Sequence, residues 1–277
     1  MAILSITYEF GSGAEEIGHA IEKELGYEYV ALGRIRKEAS QAGKRWERFG
    51  EEYGETKPNL WERYDWSFMG YMALAQSIIL NHALKDNVVI MARGSGYLLG
   101  GISHVLRVRI VASLEKRIER VMTKENISWA NANLLVKQAD YEIVSTLRQL
   151  YGKQWDDPDT YEVRYDTSEQ SNDQIIDAIE KLLAAKNNLK TRAAQNELEM
   201  RALAAKIKAV ILTNPDFLIP TLEVEATQNG IILRGIARSI REHKAIDAEV
   251  NRMRGSTPVT CETHYRGIKS IKPHRMA

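Results

Sequence analysis

Apolar and polar positions follow two periods in the first two thirds of the chain. Runs of apolar or alternating residues, typical of strands in a buried sheet, occupy residues 3–8, 88–92, 105–111 and, more weakly, 162–166. Helical spacing of apolar residues lies between them, at residues 14–25, 69–84, 114–125, 130–150 and 173–185. Ser113 is placed to cap one of these helices, and Ser171 or Asp173 another. The alternation predicts an α/β fold with a parallel sheet flanked by helices.

The pattern changes after residue 185. A polar stretch is followed by a long helix that ends near residue 212, before Asn214-Pro215-Asp216. Strands at residues 221–226 and 230–236, joined through Asn229-Gly230, predict a hairpin. A helix and a strand follow, at residues 239–253 and 258–265. This αββαβ order predicts a separate small α+β module with no parallel crossover. The predicted divisions are a domain at 1–185, a linker at 186–197, the module at 198–268 and a basic tail at 269–277.

Composition excludes several classes of function. The chain has 277 residues, of which 44% are hydrophobic, with 38 basic and 37 acidic side chains and a net charge of +1. This near-neutral balance gives no reason to expect a nucleic-acid partner. A single cysteine excludes an internal disulfide framework, and the histidine spacing indicates no metal site. No apolar run approaches the ~18 residues of a membrane span, and no signal peptide is evident. We therefore expect a cytoplasmic protein.

A glycine-rich turn joins the first strand to the first helix. It consists of Gly11, Ser12, Gly13, Ala14, Glu15 and Glu16. A strand, a glycine turn and a helix N-terminus bring free backbone amides and the positive end of a helix dipole together, so this segment predicts phosphate binding. The Lys-Ser/Thr pair that usually completes such a loop is absent, and Glu15 and Glu16 stand there instead. The sequence therefore predicts a weakened or altered phosphate loop.

Four stretches in order along the first 185 residues resemble the cytidylate kinase-like family of P-loop nucleoside monophosphate kinases. They are Ile6-Thr7-Tyr8-Glu9-Phe10-Gly11-Ser12-Gly13, Val89-Ile90-Met91-Ala92-Arg93-Gly94, Arg109-Ile110-Val111-Ala112-Ser113-Leu114-Glu115-Lys116-Arg117 and Tyr151-Gly152-Lys153-Gln154-Trp155-Asp156-Asp157-Pro158. The later helix, Asn-Gly hairpin, helix and strand resemble a BON domain. The resemblance implies a P-loop kinase-like sheet followed by a BON-like module.

The resemblance also implies a reaction, which is transfer of the γ-phosphoryl group of ATP, with Mg²⁺, to a nucleotide or related small phosphorylated ligand. In such kinases the arginine at the position of Arg93 grips the acceptor monophosphate, and a basic residue at the position of Arg117 lies near the donor. Arg148 is the candidate for the charge of a lid over the phosphates, because Ile143 stands where the family has an arginine, three residues after Asp140. Glu15 likewise stands where the family has a basic residue.

Three functions remain open at this point. The chain could be a phosphotransferase, a catalytically weak nucleotide sensor that acts through its BON-like module, or an oligomeric scaffold. An exposed strand edge in that module suits a homo-oligomer or a protein partner. An aromatic cluster at residues 46–68 lies where the family covers its acceptor, so it could stack on a base or form a subdomain core.

Overall fold

A five-stranded parallel sheet is the centre of the N-terminal part of the molecule. The computed structural model describes residues 2–55, 66–152, 154–219 and 221–265; Trp61, Tyr64 and the predicted basic tail lie outside them. The strands are β1 (Ile3–Tyr8), β2 (Glu28–Ala31), β3 (Val88–Met91), β4 (Val105–Val111) and β5 (Val163–Asp166), in the order β2-β3-β1-β4-β5. All four pairings are parallel, so the predicted α/β fold is confirmed.

Helices cover both faces of this sheet. They are α1 (Ala14–Leu25), α2 (Leu32–Ser40), α3 (Lys44–Glu55), α4 (Trp66–Ala83), the one-turn α5 (Ser95–Leu98), α6 (Leu114–Glu125), α7 (Trp129–Tyr151) and α8 (Asn172–Asn187). Successive residues of a strand point to opposite faces. Val88 and Ile90 therefore pack in a cluster with α4, while Val89 joins a cluster with α1 and α8. The predicted caps of α6 and α8 are confirmed, since Ser113 and Ser171 each accept a backbone N–H.

The C-terminal elements come in the predicted order. They are α9 (Arg192–Thr213), β6 (Glu223–Thr227), β7 (Gly230–Ala237), α10 (Ile240–Met253) and β8 (Val259–Tyr265). β6 and β7 form the predicted antiparallel hairpin. The expectation that no parallel crossover occurs is wrong, because β7 pairs with β8 in parallel. α10 is long enough to return the chain to the starting end of the sheet, so β7, α10 and β8 form a βαβ unit. The BON-like assignment stays a prediction.

Helix α9 belongs to both parts of the molecule. It packs along α4, and its first half, with Ala194, Leu198 and Ala202, enters the cluster that contains β3. Its second half, with Ile207 and Ile211, packs beneath the three-stranded sheet. The stretch predicted to be a linker contains the end of α8, a turn and the first residues of α9. The division into separate domains remains a prediction.

Candidate active site

The turn after β1 has the backbone geometry of an anion-binding loop. Gly11 and Gly13 adopt φ of 80° and 83°, a region that favours glycine. A Cβ on Gly11 would lie 2.9 Å from the carbonyl oxygen of Arg117, so the loop touches α6 directly. Ser12 N–H donates to the Glu9 carbonyl at 3.0 Å. Within the described ranges, the amides of Gly11 and Gly13 have no backbone acceptor, and neither do the first amides of α1, which begins at Ala14. These amides are available to an anion.

A second group of side chains fixes this loop from α6 and from the end of β5. Arg120 Nη1 donates to the Ser12 carbonyl at 2.8 Å and to Thr167 Oγ1 at 2.7 Å. Thr167 Oγ1 donates to the same carbonyl at 2.6 Å. A Cβ on Gly13 would lie 3.4 Å from Arg120 Nη1, so this cation stands beside the loop. The hydroxyl of Ser12 is buried and has no partner among the described residues, so it faces the interior.

An open cleft of about 600 Å³ lies between the loop and α6. Besides the loop itself, its lining includes Tyr8, Lys116, Glu119, Arg120, Lys124 and Asn172. The carboxylate of Glu15 lies 2.7 Å from Lys124 Nζ, and both side chains are more than half exposed. The hydrogen bond that Lys124 Nζ donates to Glu15 raises the pKa of Lys124. Glu16 is also exposed and lines the cleft. The acid that replaces the expected loop cation is therefore paired with a lysine of the neighbouring helix.

Arg117 is buried and pairs with two partly buried carboxylates. Its Nη1 lies 2.9 Å from both carboxylate oxygens of Asp140, and its Nε lies 3.4 Å from Glu9 Oε2. Glu9 also lies 3.5 Å from Arg109 Nη2. Burial raises the pKa of Asp140, and the guanidinium of Arg117 opposes this rise. Arg117 therefore joins α6 to α7 and the phosphate loop, and its predicted contact with the donor remains a prediction.

Arg93 lies at the carboxyl end of β3, as predicted, beside a pocket of about 80 Å³. Helices α2, α4 and α7 supply most of the walls, which include Ile35, Arg36, Phe68, Tyr71, Met72, Gln76, Glu142 and Tyr151. Arg93 Nη2 lies 3.8 Å from Glu142 Oε2. Burial raises the pKa of Tyr71, and the guanidinium of Arg36 opposes this rise. We name this cavity the arginine pocket, since Arg36 and Arg93 both line it; sequence reasoning missed Arg36.

A smaller cavity of about 60 Å³ lies between the cleft and the arginine pocket. Tyr8 and Phe10 line it together with the cleft, and Arg93 lines it together with the pocket. Ile143 also lines it and is buried. Burial raises the pKa of Tyr8. The three cavities are therefore neighbours that share wall residues, and the side chain of Ile143 contributes an apolar wall to the middle one.

Arg148 lines neither the cleft at the loop nor the arginine pocket. It lines a second open cleft, of about 660 Å³, with Glu9, Arg109, Trp155 and Asp156. Arg109 stands over the ring of Trp155 at 4.7 Å and donates to its carbonyl. Arg148 is exposed, and no ion pair is seen between it and any described residue. Its predicted role in a lid stays untested by this arrangement.

Some residues of the predicted aromatic cluster pack in the hydrophobic core, and one of them lines the arginine pocket. Trp46 and Phe49 are buried in the hydrophobic cluster that contains α4, with ring centroids 6.2 Å apart. Phe68 is buried and lines the arginine pocket.

Over the part of the chain that is described, three or more His, Cys, Asp or Glu side chains never converge as metal ligands. None of the described helices is both long enough and apolar enough to cross a bilayer.

Comparison with known proteins finds similar sequences and a similar structure. A cytidylate kinase from Pyrococcus abyssi is 25% identical over 175 residues, which are 63% of this chain and 89% of that protein. A uronate isomerase from Corynebacterium glutamicum is 29% identical over 116 residues, which are 41% of this chain, and the chain spans only 22% of its length. The solved structure of an uncharacterized protein from Eubacterium ventriosum aligns with a TM-score of 0.53 and 17% identity, over 66% of this chain and 99% of that one.

The cytidylate kinase-like family matches residues 3–169, more than half of the chain. This range contains the five-stranded sheet, the phosphate loop, Arg93 and the network around Arg117. The C-terminal sheet lies outside it. On this match, together with the parallel sheet and its loop, the chain belongs to the cytidylate kinase-like family.

Proposed function

We propose that this protein binds a nucleoside triphosphate such as ATP in the cleft at the phosphate loop. It transfers the γ-phosphoryl group to a nucleoside monophosphate, or a related small acceptor, in the arginine pocket. The observation that carries this proposal is the placement of three neighbouring cavities between the unbonded loop amides and Arg93, with Tyr8 and Phe10 in the walls of two of them. Phosphoryl transfer needs positive charge and in-line placement of donor and acceptor more than covalent help from the protein.

The positive charge on the donor side comes from α6 rather than from the loop. Lys116, Arg120 and Lys124 line the cleft, and Arg120 touches the loop itself. Backbone amides and a helix N-terminus favour anions without any side-chain cation. Glu15 opposes them, although its pairing with Lys124 reduces its effect. We therefore expect donor binding that is weaker than that of a loop with its own lysine.

Magnesium does not have a protein site of its own among the described residues. Glu9, the carboxylate nearest the start of the loop in sequence, is already engaged by two arginines and by the amide of Ala112. Mg²⁺ prefers a few carboxylates together with phosphate oxygens and water. The ion therefore enters this proposal only as the counter-ion of the triphosphate.

Calorimetry with ATP, CMP and other nucleotides, with and without Mg²⁺, followed by a phosphotransfer assay, tests the proposal. We expect ATP to bind and a diphosphate product to form. Nucleotide binding without product would favour the regulatory alternative, a nucleotide sensor. Glu15 and Ile143, which stand where the family has basic residues, favour that alternative. An absence of binding at millimolar concentration would leave only a scaffold.

The C-terminal part enters the proposal as a BON-like module that mediates homo-oligomer formation or contact with a protein partner. Its support is the exposed edge strand β8 and an outer sheet face that carries Glu223, Glu225 and Glu262 around Arg234. Light scattering of the full chain over a concentration series measures the oligomeric state directly.

A further inference from the structure

Helix α7 presents an apolar surface to solvent. Five of the eleven large apolar side chains that are exposed among the described residues lie on this one helix. They are Trp129, Leu134, Leu135, Tyr141 and Val144. Single exposed apolar side chains are common on any protein, whereas a concentration of them on one element marks an interaction surface.

Part of this surface forms a single stripe along the helix. An α-helix turns by about 100° per residue, so Leu134, Tyr141 and Val144 fall within an arc of about 80°. Lys137 and Arg148 lie in the same arc and are exposed as well. We name these five residues the α7 stripe.

The α7 stripe carries two positive charges and no acid. The acidic residues of α7, Asp140 and Glu142, lie outside the arc, and each faces an arginine of another element. Asp140 pairs with Arg117, and Glu142 Oε2 lies 3.8 Å from Arg93 Nη2. Two copies of the stripe facing each other would bring four cations together without a counter-charge. The stripe therefore fits an acidic partner rather than its own counterpart.

The outer face of the C-terminal sheet has the opposite charge. Its charged or aliphatic side chains are those of Glu223, Glu225, Ile232, Arg234, Ile236 and Glu262. With three glutamates and one arginine, and with His264 neutral, this face has a net charge of −2. Helices α9 and α10 pack on the other face, whereas a parallel pair such as β7 and β8 is usually covered on both. A further helix is the element that such a face accepts.

We propose that the α7 stripe of one copy packs on the outer face of the C-terminal sheet of a second copy. Both surfaces are exposed within one chain, so the contact joins two copies. Apolar side chains meet at its centre, and opposite charges set its orientation. Because each copy offers both surfaces, the assembly is head-to-tail, either a ring or an open chain. This inference rests on the proposed role of the C-terminal part in homo-oligomer formation, and it names the surface which that part contacts.

Charge reversal on each surface of the full chain tests this pairing. Lys137→Glu with Arg148→Glu changes the charge of the stripe from +2 to −2, and Glu223→Lys with Glu225→Lys changes that of the outer face from −2 to +2. Light scattering over a concentration series at low salt measures the dissociation constant. We expect each form alone to associate about tenfold more weakly than the parent chain, or weaker still, because like charges then face each other. An equimolar mixture of the two forms should associate as the parent chain does, since both of its contacts pair opposite charges.

The outcomes separate this inference from the proposal on which it rests. If only the form reversed on the sheet loses association, the stripe is not the contact, and oligomer formation through the C-terminal part still stands. If only the form reversed on α7 loses association, both are overturned. A mixture that associates no better than its components would overturn the pairing alone. A parent chain that stays monomeric at every concentration would overturn both.

A matched control and a second variant guard against indirect effects. Lys181→Glu with Arg192→Glu changes the net charge equally, on exposed residues of α8 and α9, and should leave association unchanged. The thermal midpoint of each form shows whether it is folded. Should a reversed form fail to fold, Leu134→Ala removes the most exposed apolar side chain of the stripe. We expect several-fold weaker association from it, and parent-like association would overturn the pairing.

Discussion

The cleft at the phosphate loop and the arginine pocket are built from different parts of the chain. The cleft is open, holds about 600 Å³, and depends on backbone amides, two glycines and the cations of α6. The arginine pocket is smaller, holds about 80 Å³, and depends mainly on side chains from three helices. A site made of backbone keeps its shape when a side chain is replaced, which is why the loop geometry persists beside Glu15. A site made of side chains changes with each substitution.

The largest effect is expected at Gly11. Gly11→Ala places a Cβ 2.9 Å from the Arg117 carbonyl and forces φ of 80° on a residue that disfavours it. We expect a loss of about 1–3 kcal/mol in the free energy of unfolding and near-complete loss of ATP binding, measured by denaturant titration and calorimetry. Gly33→Ala, in α2 where nothing lies within 4 Å of the added atom, is the matched control and should be neutral. Normal ATP affinity in Gly11→Ala would mean that the donor lies elsewhere.

Substitution of Arg93 separates the two sites. Arg93→Ala removes a guanidinium from the pocket, and a charged hydrogen bond to phosphate is worth about 1.5–3 kcal/mol, or roughly ten- to hundredfold in affinity. We expect acceptor affinity to fall by that factor, with ATP affinity unchanged. Arg164→Ala, on an exposed arginine of β5, provides the control. A parallel fall in ATP affinity would show that the two cavities do not act as separate sites.

A smaller effect is expected from the exposed pair in the cleft. Glu15→Lys converts a repulsive charge into an attractive one, and Lys124→Ala leaves Glu15 without its partner. We expect tighter ATP binding in the first variant and weaker binding in the second, each by several-fold, because exposed charges are screened. The difference in ATP affinity between each variant and the parent chain should become smaller at high salt. Calorimetric titration with ATP at two ionic strengths measures this change. Unchanged affinity in Glu15→Lys would place the triphosphate away from α1.

The smallest effect is expected at Arg148. Its side chain is exposed and lines the second open cleft rather than the arginine pocket. Arg148→Ala should change the rate of phosphotransfer by about twofold or less, within the range of an exposed charge. A fall of two orders of magnitude would instead support the lid role that the sequence suggested, and would require α7 to shift during the reaction.

Local pattern predicted most of the elements, because apolar periodicity and capping residues act within a few positions of each other. The bounds predicted for α6 match the structure, and the hairpin at Asn229-Gly230 is confirmed. β2 was missed because it has only four residues, and α2 directly follows it. α2 supplies Ile35 and Arg36 to the arginine pocket.

The site was predictable where it is made of consecutive residues. The loop from Gly11 to Glu16 could be identified from its own sequence. The pairing of Arg117 with Asp140 and the bond between Arg120 and Thr167 join residues far apart in the chain, so no spacing rule indicates them. Tyr151 and Arg36 likewise enter the pocket from different helices. The folded chain alone shows that these groups meet.

Helix α9 has a practical consequence for work on this protein. It covers α4, and α4 supplies Phe68, Tyr71 and Gln76 to the arginine pocket. A fragment cut after residue 169 would lack α9 and would expose to water the face of the mostly apolar helix α4 that α9 covers. Such a fragment would be prone to aggregate and would carry a loosened wall beside Arg93. Assays of nucleotide binding and of the proposed phosphotransfer should therefore use the intact chain rather than the isolated family region.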